Sequence, residues 1–333
     1  MKNTIKWFLK AIAAGVLALL VASAACLIYY NPGIHVTNPS GVTDYVWQSN
    51  SFSGTMTEGI AWNRTDKNGF YNETTTDKNM NVLLMGSSQM EGTNVFPKQN
   101  AAWLLGEYTG KTTYNIGTSG HDLLVCVKNL KTALTVMQPT EYVVIEIGTP
   151  KYSEKAIEDC LSGKMANIPS YDSGLLFHLQ KIPYLKLVYA QLASWDGVGG
   201  NNAPSAQTNS PSTTIEASLM EAYEQLTAEI SRICVDYGVQ PVIVYHPHLS
   251  VNADGTVALD HDEAYLDAFA SACQANEVLF VDMTEDFLQM YHTEYVLPHG
   301  FCNTAVGVGH LNQHGHKAIA ERLAEVISAN EGE

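Results

Sequence analysis

The chain has 333 residues, 46% of them hydrophobic, enough for one large domain or two small ones with a real core. Its formal charge is −16 and its isoelectric point about 5.0. Such a surface repels phosphate backbones, which argues against nucleic acid as a partner and against a strongly anionic polymer as substrate.

The amino terminus carries a targeting signal. Lys2, Lys6 and Lys10 precede an unbroken apolar or small-residue stretch from Ala11 to Tyr30. About twenty such residues are what a helix needs to cross the hydrocarbon core. Basic residues on the amino side keep that end in the cytoplasm, so everything after Tyr30 is expected outside, at a bacterial cell surface. The length, with Ile28-Tyr29-Tyr30 continuing the hydrophobicity, favours a single-pass signal anchor. Cleavage near Ala22-Ser23-Ala24 and a lipoprotein-type cysteine at Cys26 are the alternatives. The cysteines beyond the anchor are odd in number and widely scattered, which is not a disulfide framework; one bridge, or buried free thiols, would both fit.

Residues 31–80 are polar, rich in Asn, Thr and Gly with isolated aromatics such as Tyr45, Trp47, Trp62 and Tyr71. They read as a stalk followed by an arm that packs on the main domain, 81–330. That domain opens with Asn81 to Met85, an apolar strand that stops at Gly86-Ser87-Ser88-Gln89-Met90-Glu91-Gly92. Ala101 to Glu107 reads as a short helix and Thr113 to Ile116 as a second strand, followed by Gly117-Thr118-Ser119-Gly120. Asp122 caps an amphipathic helix to about Met137, and Tyr142 to Ile147 is a third strand ending at Gly148-Thr149-Pro150. A helix around Leu175 to Ala193 and a Gly/Asn/Ser/Pro-rich surface loop, Gly197 to Thr214, follow. Then come a helix from Ile215 to Tyr237, a strand from Pro241 to Tyr245, a helix from Asp262 to Ala275, a strand from Val278 to Val281, and a closing helix from Gln313 to Ala329. Apolar strands alternating with helices predict a parallel α/β sheet of about five strands.

Chemistry-bearing residues gather at the strand ends. In an open α/β sheet that edge is where ligands bind. Gly86-Ser87-Ser88 ends the first strand, Asn115 to Gly120 the second, Gly148-Thr149-Pro150 the third, and Gly309-His310-Leu311-Asn312 precedes the last helix. This set fits acyl transfer. A serine hydroxyl needs a base within hydrogen-bond reach, and His310 is the natural candidate. The oxyanion needs donors, which the backbone N–H groups of Ser88 and Gly120 could supply. Ser87 is an adjacent hydroxyl in a second register. His246-Pro-His248 lacks a carboxylate or cysteine at ligand spacing, so no metal is expected. Ser87, Asn115, His246, His299 and Asn312 are candidate pocket residues. Glu146, inside an apolar strand, reads as a buried hydrogen-bonded group.

These blocks resemble the SGNH/GDSL superfamily of hydrolases. Its first block, G-D-S-x-x-x-G, is similar to Gly86 through Gly92, which implies Ser88 as nucleophile with Ser87 in the aspartate slot. Its second block, N-x-x-x-x-G, is similar to Asn115 through Gly120 and implies Gly120 as an oxyanion donor. Its last block is similar to His310-Leu-Asn-Gln-His-Gly-His and implies His310 as base. The resemblance implies a flavodoxin-like three-layer α/β/α sandwich and a cofactor-free esterase, lipase or carbohydrate O-deacetylase. For a membrane-anchored member it implies acyl chemistry on a cell-envelope glycan, with a membrane O-acyltransferase as a candidate partner. The sequence departs from the family pattern twice. Pro150 stands where the third-block asparagine would donate its amide, leaving the Thr149 hydroxyl as a substitute donor. Gly307 and Val308 stand where an aspartate would precede the histidine, so either a Ser–His dyad operates or an acid comes from elsewhere in the chain. The same gaps allow a rival reading, a catalytically degenerate glycan-binding or accessory protein of an envelope O-acylation system.

Overall fold

The computed structural model describes residues 2–31, 33–73, 77–168, 178–179, 181–195, 215–252, 254–260 and 262–332. The expected surface loop Gly197 to Thr214, and residues 175–177 and 180 of the helix expected before it, lie outside these.

The amino-terminal part runs α1 (Lys2–Tyr29), β1 (Tyr30–Asn31), β2 (His35–Thr37), β3 (Tyr45–Trp47), β4 (Phe52–Thr55) and β5 (Ala61–Arg64). By length and composition α1 qualifies as a membrane span, as a signal sequence would too. The segment read as stalk and arm is thus built of short strands: β1, β4 and β5 form one antiparallel sheet, and β2 and β3 a second.

The main domain continues with β6 (Val82–Met85), α2 (Ser88–Glu91), α3 (Ala101–Thr109), β7 (Thr113–Asn115), α4 (Leu123–Met137), β8 (Tyr142–Ile147) and α5 (Glu154–Leu161). It closes with α6 (Pro183–Trp195), α7 (Ala217–Asp236), β9 (Gln240–Tyr245), the hairpin β10 (His248–Val251) and β11 (Val257–Asp260), α8 (Glu263–Ala275), β12 (Leu279–Asp282), α9 (Thr284–Glu294) and α10 (Gln313–Glu331). The central sheet is five-stranded and parallel, in the order β12-β9-β8-β6-β7. Counted along the chain, that is the 2-1-3-4-5 order of flavodoxin-like sheets.

Period-2 alternation divides the strands between two cores, which is why they read as nearly continuous apolar runs. Leu83, Met85, Val143, Ile145, Ile147, Ile243 and Tyr245 pack with α4, α7 and α8 on one face. Val82, Leu84, Val144, Val242, Val244 and Val281 pack with α3 and α10 on the other. Because all five strands point the same way, their carboxyl ends present Ser88, Asn115, Thr149 and His246 along one edge. The six cysteines are free thiols, five buried and Cys302 exposed, so the structure favours the thiol alternative over a bridge.

Candidate active site

The site begins at the turn after β6. Ser87 adopts extended backbone and caps α2, its Oγ accepting the Gln89 N–H at 3.1 Å. Ser88 is therefore the first residue of a four-residue helix that Gly92 terminates in the left-handed region. The Ser88 hydroxyl meets the histidine of the carboxyl-terminal loop: Oγ lies 3.0 Å from His310 Nε2. Gln89 holds the two segments together, its Oε1 accepting the Leu311 N–H at 2.6 Å.

The imidazole's other nitrogen is also occupied. Nδ1 lies 2.8 Å from Glu58 Oε2, and the His310 backbone N–H donates to Glu58 Oε1 at 2.6 Å. A carboxylate thus lies within hydrogen-bond reach of the ring, supplied from a distant part of the chain. Glu58 sits in the 56–60 loop joining β4 to β5, 252 residues before its partner. That tip is bound on both sides. Asn94 Nδ2 donates to the Glu58 carbonyl at 2.8 Å, and Asn303 Nδ2 donates to the Met56 carbonyl at 2.8 Å while its Oδ1 accepts the Gly59 N–H at 2.9 Å. Burial disfavours charge on both members of the pair, but their mutual attraction wins. Glu58 stays below the usual carboxylate range and His310 rises above the ordinary imidazole value.

Gly309 makes this approach feasible. Its φ is +117°, and a Cβ there would lie 2.2 Å from Glu58 Oε1. Gly309→Ala is accordingly expected to push the carboxylate off the ring and lower kcat/KM by about 10²-fold, as catalytic misplacements of about 1 Å do. Steady-state hydrolysis of an acetyl ester checks it, with circular dichroism as the control for folding.

A cavity of about 160 Å³ adjoins His310. Trp47, Tyr71, Ser53, Thr55 and Ser119 are among its walls, so the arm supplies most of the lining. Glu91, fully buried, ties the arm to the second block: the Trp47 indole N–H donates to Oε1, and the Ser119 hydroxyl donates to Oε2 at 2.5 Å. Burial pushes its carboxyl up to about 7, against those two hydrogen bonds.

Among the described residues the backbone N–H groups of Ser88 and Gly120 find no hydrogen-bond acceptor in the protein. Thr149 is exposed, and its Oγ1 accepts the Lys151 N–H at 3.1 Å, which leaves its own proton free. Pro150 offers only its carbonyl, which accepts the Tyr223 hydroxyl at 2.8 Å.

The other expected pocket residues take different places. Ser87 donates its hydroxyl to Glu146 Oε2 at 2.9 Å, facing the sheet rather than the cavity by His310. Asn115 is buried, donating to the Met90 carbonyl at 2.8 Å and accepting the Gly117 N–H at 2.8 Å; it shapes the Ser88 turn from behind. His246 is buried with Nε2 2.8 Å from Glu146 Oε1. His299 is buried beside His246 and His248, its pKa well below the ordinary value through burial and then its histidine neighbours. Asn312 caps α10 through its Oδ1 and donates to the Leu297 and Gly300 carbonyls at 2.8 and 3.0 Å. His299 and Asn312 line instead a neighbouring groove of about 510 Å³, which shares Asn94 with the first cavity.

The Glu146–His246 pair carries a stability prediction. Their side chains are 0% and 3% exposed. Burial alone would raise the Glu146 pKa, but the hydrogen bond from His246 lowers it below the usual range. His246→Ala leaves the buried carboxylate with only the two hydrogen bonds from Ser87 and is expected to cost about 3 kcal/mol by denaturant unfolding at pH 7. A depressed carboxylate stabilises above its unfolded pKa and loses that contribution as pH falls through its folded one, so the difference from the parent should shrink in acid.

No protein-family model matches the sequence, and comparison with curated proteins gives no match. Solved structures do match, at low identity. A protein assigned to the SGNH hydrolases from Slackia heliotrinireducens aligns at 14% identity over 74% of this chain and 97% of its own, with a TM-score of 0.36. An acetyl xylan esterase aligns at 10% identity over 74% of this chain and 98% of its own, with a TM-score of 0.42. A family two carbohydrate esterase from Cellvibrio japonicus aligns at 12% identity over 79% of this chain and 64% of its own, with a TM-score of 0.36. The chain's own strand order and flanking helices make it a flavodoxin-like α/β fold, a five-stranded parallel sheet between helical layers, preceded by an apolar helix.

Proposed function

We propose that the protein is an extracytoplasmic serine esterase or O-acyltransferase of SGNH type, acting on acetyl esters of a cell-envelope glycan. The observation that carries this reading is the hydrogen-bonded chain Ser88–His310–Glu58. Glu58 accepts the Nδ1–H and fixes the tautomer that leaves Nε2 free to take the hydroxyl proton. Ser88 Oγ then attacks the ester carbonyl while its proton passes to Nε2. As the tetrahedral intermediate collapses, the carbon–oxygen bond to the sugar breaks and the Nε2 proton goes to the departing sugar oxygen. Water, or a second sugar hydroxyl, gives its proton to Nε2 and attacks the acyl-Ser88. Breaking the Ser88–acyl bond returns that proton to Oγ and releases a carboxylic acid or a new ester. The Ser88 and Gly120 N–H groups are assigned to the oxyanion, with the Thr149 hydroxyl as third donor in place of the amide missing at Pro150. A lost donor costs about 2.7–4 kcal/mol of transition-state stabilisation, which slows the chemistry without abolishing it.

A small cavity with two aromatic walls and several hydroxyls suits an acetyl group or a single sugar ring better than a long acyl chain. A membrane O-acyltransferase would fit as donor partner if transfer dominates. The test is acetate release from an acetylated oligosaccharide, with and without unacetylated acceptor, in the wild type and Ser88→Ala. Release lost in the variant supports esterase action, and acetate moved onto the acceptor supports transfer. Neither reaction above the Ser88→Ala background would leave the binding-protein reading in its place.

A further inference from the structure

The cavity beside His310 is built on the end of the apolar helix. Tyr30, the residue after α1, pairs with Thr55, and Asn31 pairs with Gly54. Thr55, Gly54 and Gly33 all line the cavity. The helix end is itself docked on the same sheet: the Trp62 indole N–H donates to the Ile28 carbonyl at 3.1 Å, and Cys26 is buried. Paired Cα atoms in an antiparallel sheet lie about 4.5–5.5 Å apart, so only a strand's width separates the end of α1 from the cavity wall.

The charge pattern sets where that end lies in a bilayer. Lys2, Lys6 and Lys10 occupy the first turns, and the apolar run that follows ends at Tyr29 and Tyr30. Roughly twenty residues from Lys10 reach the opposite interface, where tyrosines are favoured. A second helix agrees with this level. α6 packs along α1, and its sequence, PYLKLVYAQLASW, holds no acidic residue in a chain of net charge −16. Tyr184, Val188 and Tyr189 stand exposed on it, while Lys186 turns inward and donates to the Gly33 carbonyl. An apolar, acid-free helix with exposed tyrosines, packed on a membrane span, is suited to the lipid at the membrane–water interface.

We propose that the catalytic cavity is held at the outer surface of the bilayer, and that its substrate is an acyl ester on a membrane-embedded, lipid-linked glycan rather than on a freely diffusing one. This rests on the esterase reading above and on α1 being retained as an anchor. Confinement to one membrane raises the effective concentration of such a substrate without any new contact.

Two measurements on the full chain in phosphatidylcholine nanodiscs test it. The first compares one acetylated sugar presented free in solution with the same sugar joined to a dialkyl lipid in the disc. The lipid-linked form is expected to show a kcat/KM at least about tenfold higher; equal values, or preference for the free sugar, overturn the proposal and leave the esterase reading intact. The second needs no catalysis. In a Cys302→Ser background, a fluorophore is placed at Phe52→Cys, the exposed first residue of β4, or at Val235→Cys, exposed beside the opposite edge of the central sheet. Headgroup-nitroxide lipids are expected to quench the first strongly and the second weakly. Equal or reversed quenching overturns the proposal, even if neither ester is hydrolysed.

Discussion

Ser88→Ala is expected to lower acetyl-ester hydrolysis by about 10⁶-fold, the scale seen when the nucleophile of a serine triad is deleted. The residue has no substitute. Ser87, the neighbouring hydroxyl, is turned toward Glu146 and has no histidine nitrogen among its described hydrogen-bond partners. His310→Ala should cost a similar factor, and the double variant little more, because nucleophile and base act as one unit. Near-additive losses in steady-state kinetics would mean that the two side chains do not work together, contrary to their 3.0 Å contact.

Glu58→Gln is the second large effect, a loss of about 10⁴-fold in kcat by analogy with removing the charge of a triad acid while keeping its shape. It carries a pH signature that a purely structural role would not. The acid limb of kcat/KM reports the ionisation of the free enzyme's base, here His310, which must be neutral at Nε2 to act. Burial favours neutral imidazole, and Glu58 outweighs it, so the limb in the wild type should fall above the ordinary histidine value of 6.5. Without the carboxylate, burial is opposed only by the smaller pull of Glu91 and Glu146, and the limb should move to lower pH. A pH–rate profile of both proteins checks this, and an unmoved limb with a small rate loss would assign Glu58 to holding the loop alone.

The sheet was legible in the sequence because each strand is buried on both faces and reads as an apolar run. Ser88 and His310 were legible because each sits where a strand or loop meets a helix start, with glycines beside it. Glu58 was not. It lies on a hairpin tip in a polar stretch without periodicity, and nothing local distinguishes it from a solvated turn acid. The only sequence hint was negative, the lack of an acid before His310. At one of the two positions the structure gives a reason: Gly307 has φ +69°, and a Cβ there would lie 2.9 Å from the Leu249 carbonyl, so a side chain does not fit at that residue. The arm was underestimated for a similar reason. Strands of two to four residues leave almost no alternation to read, yet they deliver the acid, most of the cavity wall and the contact with α1. Asn115 and Asn312, read as pocket candidates, each spend their amide on backbone groups that hold the loops around Ser88 and His310, and Asn312 also lines the neighbouring groove.

The most direct test of the Ser88–His310–Glu58 assignment is active-site labelling with a fluorophosphonate, read by peptide mass mapping over a range of pH. The account predicts a single adduct on Ser88, absent in Ser88→Ala, formed much more slowly in Glu58→Gln, and with its acid limb shifted to lower pH in that variant. No adduct on the folded wild type, or an adduct on Ser87, would contradict it.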